Sequence, residues 1–216
     1  MPRQMSPDTA TPRMLAADAT LRLSPAGRPG QYTIGRGLED DGTLLVRVWG
    51  IELTLHGARF TTEAGPQPRD ESAGTVPPMT LTSRESGQAV VRFAPAPGAG
   101  ERKRGGLLGR LAGRGAETGG PIGEIEAPGG PYTVHQTAVG APGRVAGADG
   151  EAVAALRLNG DVLLVEAAAP LDAVTAVFAG ALALRTLPEK DRPTFDDLSH
   201  HNGDNRVNAI RYGMGA

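Results

Sequence analysis

Few residues in this chain have both the type and the spacing that chemistry needs. His200 and His201 stand near Asp196, Asp197 and Asp204, and imidazole with carboxylate can hold zinc. Adjacent histidines in an extended chain point apart, however, and no further ligand completes a rigid set, so no metal site and no cofactor are expected. His56 and His135 fall among polar alternates of apparent strands and read as surface or hydrogen-bonded side chains. No serine sits in a G-x-S-x-G elbow, so a Ser-His-Asp arrangement cannot be built from the order of residues. Gly35-Arg36-Gly37 lacks the later glycine and the following helix of a dinucleotide fingerprint, and no Walker A run occurs. The reading is therefore of a chain that is not an enzyme.

Two other groups of residues suit binding. Arg102, Lys103, Arg104, Arg110 and Arg114 are interleaved with Leu107, Leu108 and Leu111, a composition that can lie weakly on an anionic membrane surface. Near the end of the chain, Phe195, Leu198, Val207, Ile210, Tyr212 and Met214 are spaced among polar residues. That is more apolar surface than solubility requires, and it predicts docking on a protein partner or on a second copy of the chain.

Composition narrows the options further. With 22 basic and 24 acidic side chains in 216 residues the net charge is −2, so no global field draws the chain to nucleic acid. There is no cysteine, which removes disulfides and thiolate chemistry. The first twenty residues contain no continuous apolar run of the secretory kind, and the expected location is cytoplasmic. Lys103 and Lys190 are the only lysines, a bias expected of a GC-rich bacterial genome.

The elements that must position these residues are short strands. The 31 Gly and 18 Pro fall between apolar runs rather than replacing them, which favours many turns between many strands. After an N-terminal arm at 1–19, itself able to pack through Met14 and Leu15, a first β half covers 20–94. It holds TLRLS (20–24), QYTIG (31–35), TLLVRVWG (43–50), IELTLH (51–56), ARFTTE (58–63), MTLTSR (79–84) and QAVVRFA (88–94). In IELTLH, Ile51, Leu53 and Leu55 share one face and Glu52, Thr54 and His56 the other. Asp40-Asp41-Gly42 reads as the turn before Thr43, and Glu85-Ser86-Gly87 as a hairpin loop. A flexible, basic, Gly-rich insertion follows at 95–120.

The second β half and its helix span 121–190. PIGEIEA (121–127), YTVHQT (132–137), GRVAG (143–147), EAVAALRL (151–158) and DVLLVEA (161–167) bring the expected strands to twelve, and Asn159-Gly160 is a strong hairpin signal. A helix is predicted over Ala173–Leu187, with Asp172 as its N-cap and Pro188 as its stop. Thr175, Arg185 and Thr186 are its only polar residues, so nearly every face requires burial. Its fifteen residues reach roughly 22 Å at about 1.5 Å per residue, short of a bilayer span, so it reads as a core helix. Ala176, Ala179, Gly180 and Ala183 form a stripe that lets strands approach closely. A polar tail at 191–216 completes the chain. These readings predict a mainly β protein, an antiparallel barrel of about twelve short strands around a buried hydrophobic C-terminal helix, with flexible terminal arms.

GDVLLVEAAAPLDAVTAVFAGALALRTLPEKD, together with PIGEI at 121–125 and YTVHQ at 132–136, resembles the tubby-like barrels, in particular the phospholipid scramblase and LURP-one-related branch. The resemblance covers residues 121–190 and implies a closed twelve-stranded barrel wrapped around its own C-terminal helix. It also implies a binding module that recognises a membrane surface or a protein. Calcium-driven scrambling does not carry over: Asp161, Glu166 and Asp172 are too few carboxylates before the helix for calcium, and the palmitoylated cysteines of some scramblases are absent. The alternative is a structural or adaptor subunit that uses its arms as tethers.

Overall fold

The computed structural model describes residues 14–37, 39–47, 50–62, 76–97, 120–136 and 143–187. Alternation of apolar with polar residues produces the strands, because successive side chains leave a strand on opposite faces. In the first half these are β1 (Met14–Leu15), β2 (Thr20–Pro25), β3 (Gln31–Arg36), β4 (Glu39–Arg47), β5 (Gly50–Leu55), β6 (Ala58–Thr62), β7 (Met79–Ser83) and β8 (Ala89–Pro95). The second half adds β9 (Pro121–Ala127), β10 (Gly130–His135), β11 (Gly143–Ala146), β12 (Ala152–Asn159), β13 (Val162–Ala167) and β14 (Leu171–Asp172). One helix, α1 (Ala173–Thr186), follows directly.

Strands β2 to β13 pair antiparallel with their sequence neighbours, and β13 returns to β2 to close a twelve-stranded barrel. Leu163 pairs with Leu23 and Val165 with Leu21 at the closure. This is the barrel expected from the strand count and from the apolar helix. Every strand turns its apolar alternates inward: Leu21 and Leu23, Ile51, Leu53 and Leu55, Val91 and Phe93, Leu163 and Val165 are all buried.

The helix fills the interior. Of its fourteen residues only Arg185 is partly exposed. A Cβ built on Gly180 would stand 2.7 Å from Leu23 Cδ1 and 3.3 Å from Val165 Cγ2, so the small residue is what allows β2 and β13 to lie against the helix axis. The helix ends at Leu187, whose extended backbone (φ −64°, ψ 140°) suits a residue that precedes proline. Its N–H still donates to the Ala183 carbonyl.

Four local expectations change. Asp40-Asp41-Gly42 is not a turn but part of β4; the register shifts between Ile34 and Gly35, leaving Asp41 as the extra residue of a bulge. His56 is not on a strand: with φ 50°, beside Gly57 at 86°, it forms the two-residue loop between β5 and β6, a geometry in which both residues need positive φ. The β12–β13 hairpin forms, but Asn159 pairs with Val162, so the loop is Gly160-Asp161. The N-terminal segment contributes more than local packing, because Leu15 pairs with Leu171 and both are fully buried over the start of the helix.

Phe178→Ala, which empties the centre of the enclosed helix, is expected to lower unfolding free energy by about 3–5 kcal/mol. Gly180→Leu, forced against Leu23 and Val165, is expected to abolish cooperative folding, whereas Gly180→Ala stays within about 1 kcal/mol because Leu23 can shift and alanine favours helix. Urea unfolding followed by circular dichroism measures all three; wild-type behaviour of Gly180→Leu is the result that would contradict an enclosed helix.

Candidate functional site

Antiparallel pairing sorts the connections between two ends of the barrel. At one end, here the cap end, sit the short connections β3–β4, β5–β6, β7–β8, β9–β10 and β11–β12, and the β1–β14 pair lies over the helix start. At the other, the loop end, lie the connections β2–β3, β4–β5, β6–β7, β8–β9, β10–β11 and β12–β13. The helix enters at the cap end and runs to the loop end. There Arg185 Nη1 donates to Met79 Sδ at 3.5 Å, and Gln136 Nε2 donates to the Thr186 carbonyl at 3.2 Å. That second bond satisfies one of the carbonyls that a helix C-terminus leaves free.

Of the segments singled out in the sequence for binding, only the flanks lie among the described residues. Arg102, Lys103, Arg104, Arg110 and Arg114 lie outside the described residues, as do Phe195, Leu198, Val207, Ile210 and Tyr212, and His200 and His201. The chain leaves the barrel at Pro97 and returns at Gly120, both at the loop end, and Leu187 finishes the helix at the same end. The basic connection and the tail are thus rooted on one face. Sequence alone could not show this, since it depends on the direction in which the helix runs through the barrel.

The outer wall is polar. Arg92 faces Glu126 at 3.6 Å, Arg157 faces Glu166 at 2.9 Å and Arg47 faces Glu52 at 3.8 Å, each pair bridging neighbouring strands. Charges outside and aliphatic side chains inside are the reverse of a barrel whose wall meets lipid. No helix among the described residues is long and apolar enough to cross a membrane.

At the cap end the bulged Asp41 gathers a small cluster. Its carboxylate, with the side chain 8% exposed, accepts from Arg36 Nε at 2.6 Å and Nη2 at 3.3 Å, and His56 Nδ1 lies 3.6 Å away. The His56 backbone N–H donates to the Asp41 carbonyl at 2.9 Å. The Asp41 hydrogen bond holds the Arg36 guanidinium charged more firmly than usual. An Asp-His pair can serve a nucleophile, yet here the second donor on Asp41 is an arginine, and the group ties the β3–β4 bulge to the β5–β6 turn. Sequence reading missed it because the Asp-Asp-Gly triplet carries the signature of a turn.

Asp172 begins the helix as expected. Its Oδ1 accepts from Thr175 N at 2.9 Å and Thr175 Oγ1 at 3.0 Å. Only 4% of the residue is exposed, and Oδ2 has no hydrogen-bond partner among the described residues. The positive end of the helix dipole favours this charge. Burial raises the Tyr132 hydroxyl above its ordinary range, and the Asp172 charge raises it further.

Among the described residues, two of the concavities lie on the outer wall. The larger, about 740 Å³, is lined by Pro78, Thr80, Ala94 and Pro131 with the Arg92–Glu126 pair. The smaller, about 360 Å³, runs over β9, β10 and β11 and contains Glu124, Thr133, His135 and Arg144. His135 lies on β10, as sequence placed it, and burial followed by the nearby Arg144 charge lowers its pKa. Among the described residues no group of three His, Asp or Glu side chains is arranged to hold a metal ion. No family model, curated protein or solved structure matches the chain.

Asp172→Asn keeps an oxygen acceptor for Thr175 but removes the charge felt by Tyr132. The Tyr132 titration is expected to move down, though not fully to the ordinary tyrosine value, since burial persists; absorbance titration, with Tyr132→Phe to assign the signal, measures it. An unmoved midpoint would show that the Asp172 charge does not reach the hydroxyl. Asp172→Ala additionally loses the cap and is expected to destabilise by about 1–2 kcal/mol in thermal or urea unfolding.

Proposed function

We propose that this protein is a non-catalytic β-barrel binding module that engages an anionic membrane surface through the connection between β8 and β9. The observation that carries this reading is the common root of the basic connection and the C-terminal tail at the loop end. Five basic residues and three leucines on one connection can meet a single flat surface, while the polar wall stays in water. A barrel filled by its own helix leaves no interior for a ligand, so recognition belongs to the outside. The same architecture is what the resemblance to the scramblase and LURP-one-related proteins implies, and it supports the membrane-surface reading in preference to a soluble carrier.

A second reading, an adaptor subunit of a larger assembly, is favoured by a separate observation. Residues 1–13 precede Met14 at the cap end, whereas residues 188–216 follow Leu187 at the loop end. Two arms rooted at opposite poles suit a part that joins two partners, with Phe195, Leu198, Val207, Ile210 and Tyr212 as the docking side chains of one arm.

Co-sedimentation with vesicles separates the two. Binding to phosphatidylserine vesicles, weakened by salt and lost on deletion of residues 101–114, is the expected result. Arg110→Gln with Arg114→Gln is expected to weaken it by roughly thirtyfold, each cation near such a surface contributing about 1 kcal/mol. Binding that survives the deletion rejects the membrane reading. Truncation after Asp191 that dissolves a defined high-mass complex supports the adaptor instead.

A further inference from the structure

Three outward arginines of the wall are matched to acids across strands, whereas others, Arg22 and Arg59 among them, are not. Arg92, Arg157 and Arg47 each meet a glutamate on a neighbouring strand. Arg144 does not. Its direct cross-strand partner on β10 is His135, and on its other side, on β12, it faces Ala155. Neither the Arg144 nor the His135 side chain has a hydrogen-bond or ion-pair partner among the described residues. Two nitrogen-rich side chains therefore stand side by side on neighbouring strands with no acid directly opposite either of them.

They also stand in a concavity. The groove of about 360 Å³ extends from His135 and Arg144 past Thr133 to the turn at Gly147–Gly150. Its volume falls within the range of small-molecule sites. A guanidinium offers a fork of N–H donors that matches two oxygens of a carboxylate or phosphate, and Thr133 adds a hydroxyl on the same outward row of β10 as His135. Glu124, opposite Thr133 on β9, is the one carboxylate in the groove. It disfavours a second negative charge at that point and suits a hydroxyl or ammonium on the ligand.

We propose that this groove is a binding site for a phosphate-bearing ligand whose oxyanion is held by Arg144 and His135 and whose polar remainder lies toward Glu124. The site is independent of the membrane reading above, since none of its residues belongs to the basic connection or the tail. A free phosphate monoester and a lipid phosphate headgroup share the chemistry it recognises.

Protonation sharpens the prediction. The charged and titratable groups facing His135 are Arg144 from β11 and Glu124 from β9, while Tyr132 on β10 points inward. Burial, and after it the Arg144 charge, lowers the imidazole pKa and so disfavours its charged form in the free protein. A bound oxyanion offsets the arginine charge, so the His135 pKa rises in the complex, and affinity rises as pH falls through that value.

The test uses the full chain with labelled histidines, observed by NMR. Inorganic phosphate is expected to shift His135 saturably, with His56 as the control and chloride at matched ionic strength as the blank. Arg144→Gln, an exposed position whose thermal melt is expected to match wild type, should weaken the effect roughly tenfold or more. Glu124→Gln should strengthen it roughly threefold by removing one like charge. A second arm uses phosphatidate vesicles against phosphatidylcholine vesicles. A His135 response to free phosphate assigns a soluble ligand, and a response to phosphatidate alone assigns a lipid headgroup. The proposal is overturned if neither probe moves His135, if His56 moves in parallel, or if Arg144→Gln leaves the titration unchanged.

Discussion

Everything in this structure depends on enclosing one helix that has no polar face. An isolated helix of this composition would present valine, leucine and phenylalanine to water on every side, and each such side chain is worth about 1.5–3 kcal/mol when buried. A two-layer packing covers one face of a helix; only a closed wall covers all of them. Barrel diameter grows with strand number, and the interior of an eight-stranded barrel is filled by side chains alone. Twelve strands leave room for a helix about 10 Å across, provided that the closest crossings use small residues, as Gly180 does against Leu23 and Val165. The interior is then full.

The same constraint gives the molecule a direction. Because only the short β14 separates α1 from β13, the helix has to enter at the end where β13 finishes, and that end is covered by β1 and β14 and crossed by short turns. The helix therefore emerges at the opposite end, among the longer connections. The described flanks of the connection between β8 and β9 and the end of the helix, far apart in sequence, share one end of the barrel for this geometric reason. The wall between the two ends carries cross-strand ion pairs, which are exposed and contribute little stability individually.

Much of this was legible from residues alone. Period-two alternation located all twelve barrel strands, since the buried and exposed rows of IELTLH or DVLLVEA follow directly from the pleat. Errors concentrated at turns. Asp40-Asp41-Gly42 has the composition of a hairpin tip, but Asp41 finds Arg36 and His56 across the strands, and the bulge that brings them together outweighs local turn preference. Asn159 likewise pairs with Val162, moving the loop by one residue. Neither outcome can be read from a short window, because each depends on a partner on another strand.

The amino-acid sequence by itself determined the strand faces, the N-cap at Asp172, the length of the helix and its need for burial on all sides. These are local properties, set by side-chain type and the fixed periods of strand and helix. Closure of β13 on β2, the direction of the helix, the cluster at Asp41 and the pairing of Arg144 with His135 were decided by the tertiary structure. They rest on register between strands that are distant in the chain or separated by a bulge, and register is chosen by the barrel as a whole, through the shared requirement that every inward row meet the helix.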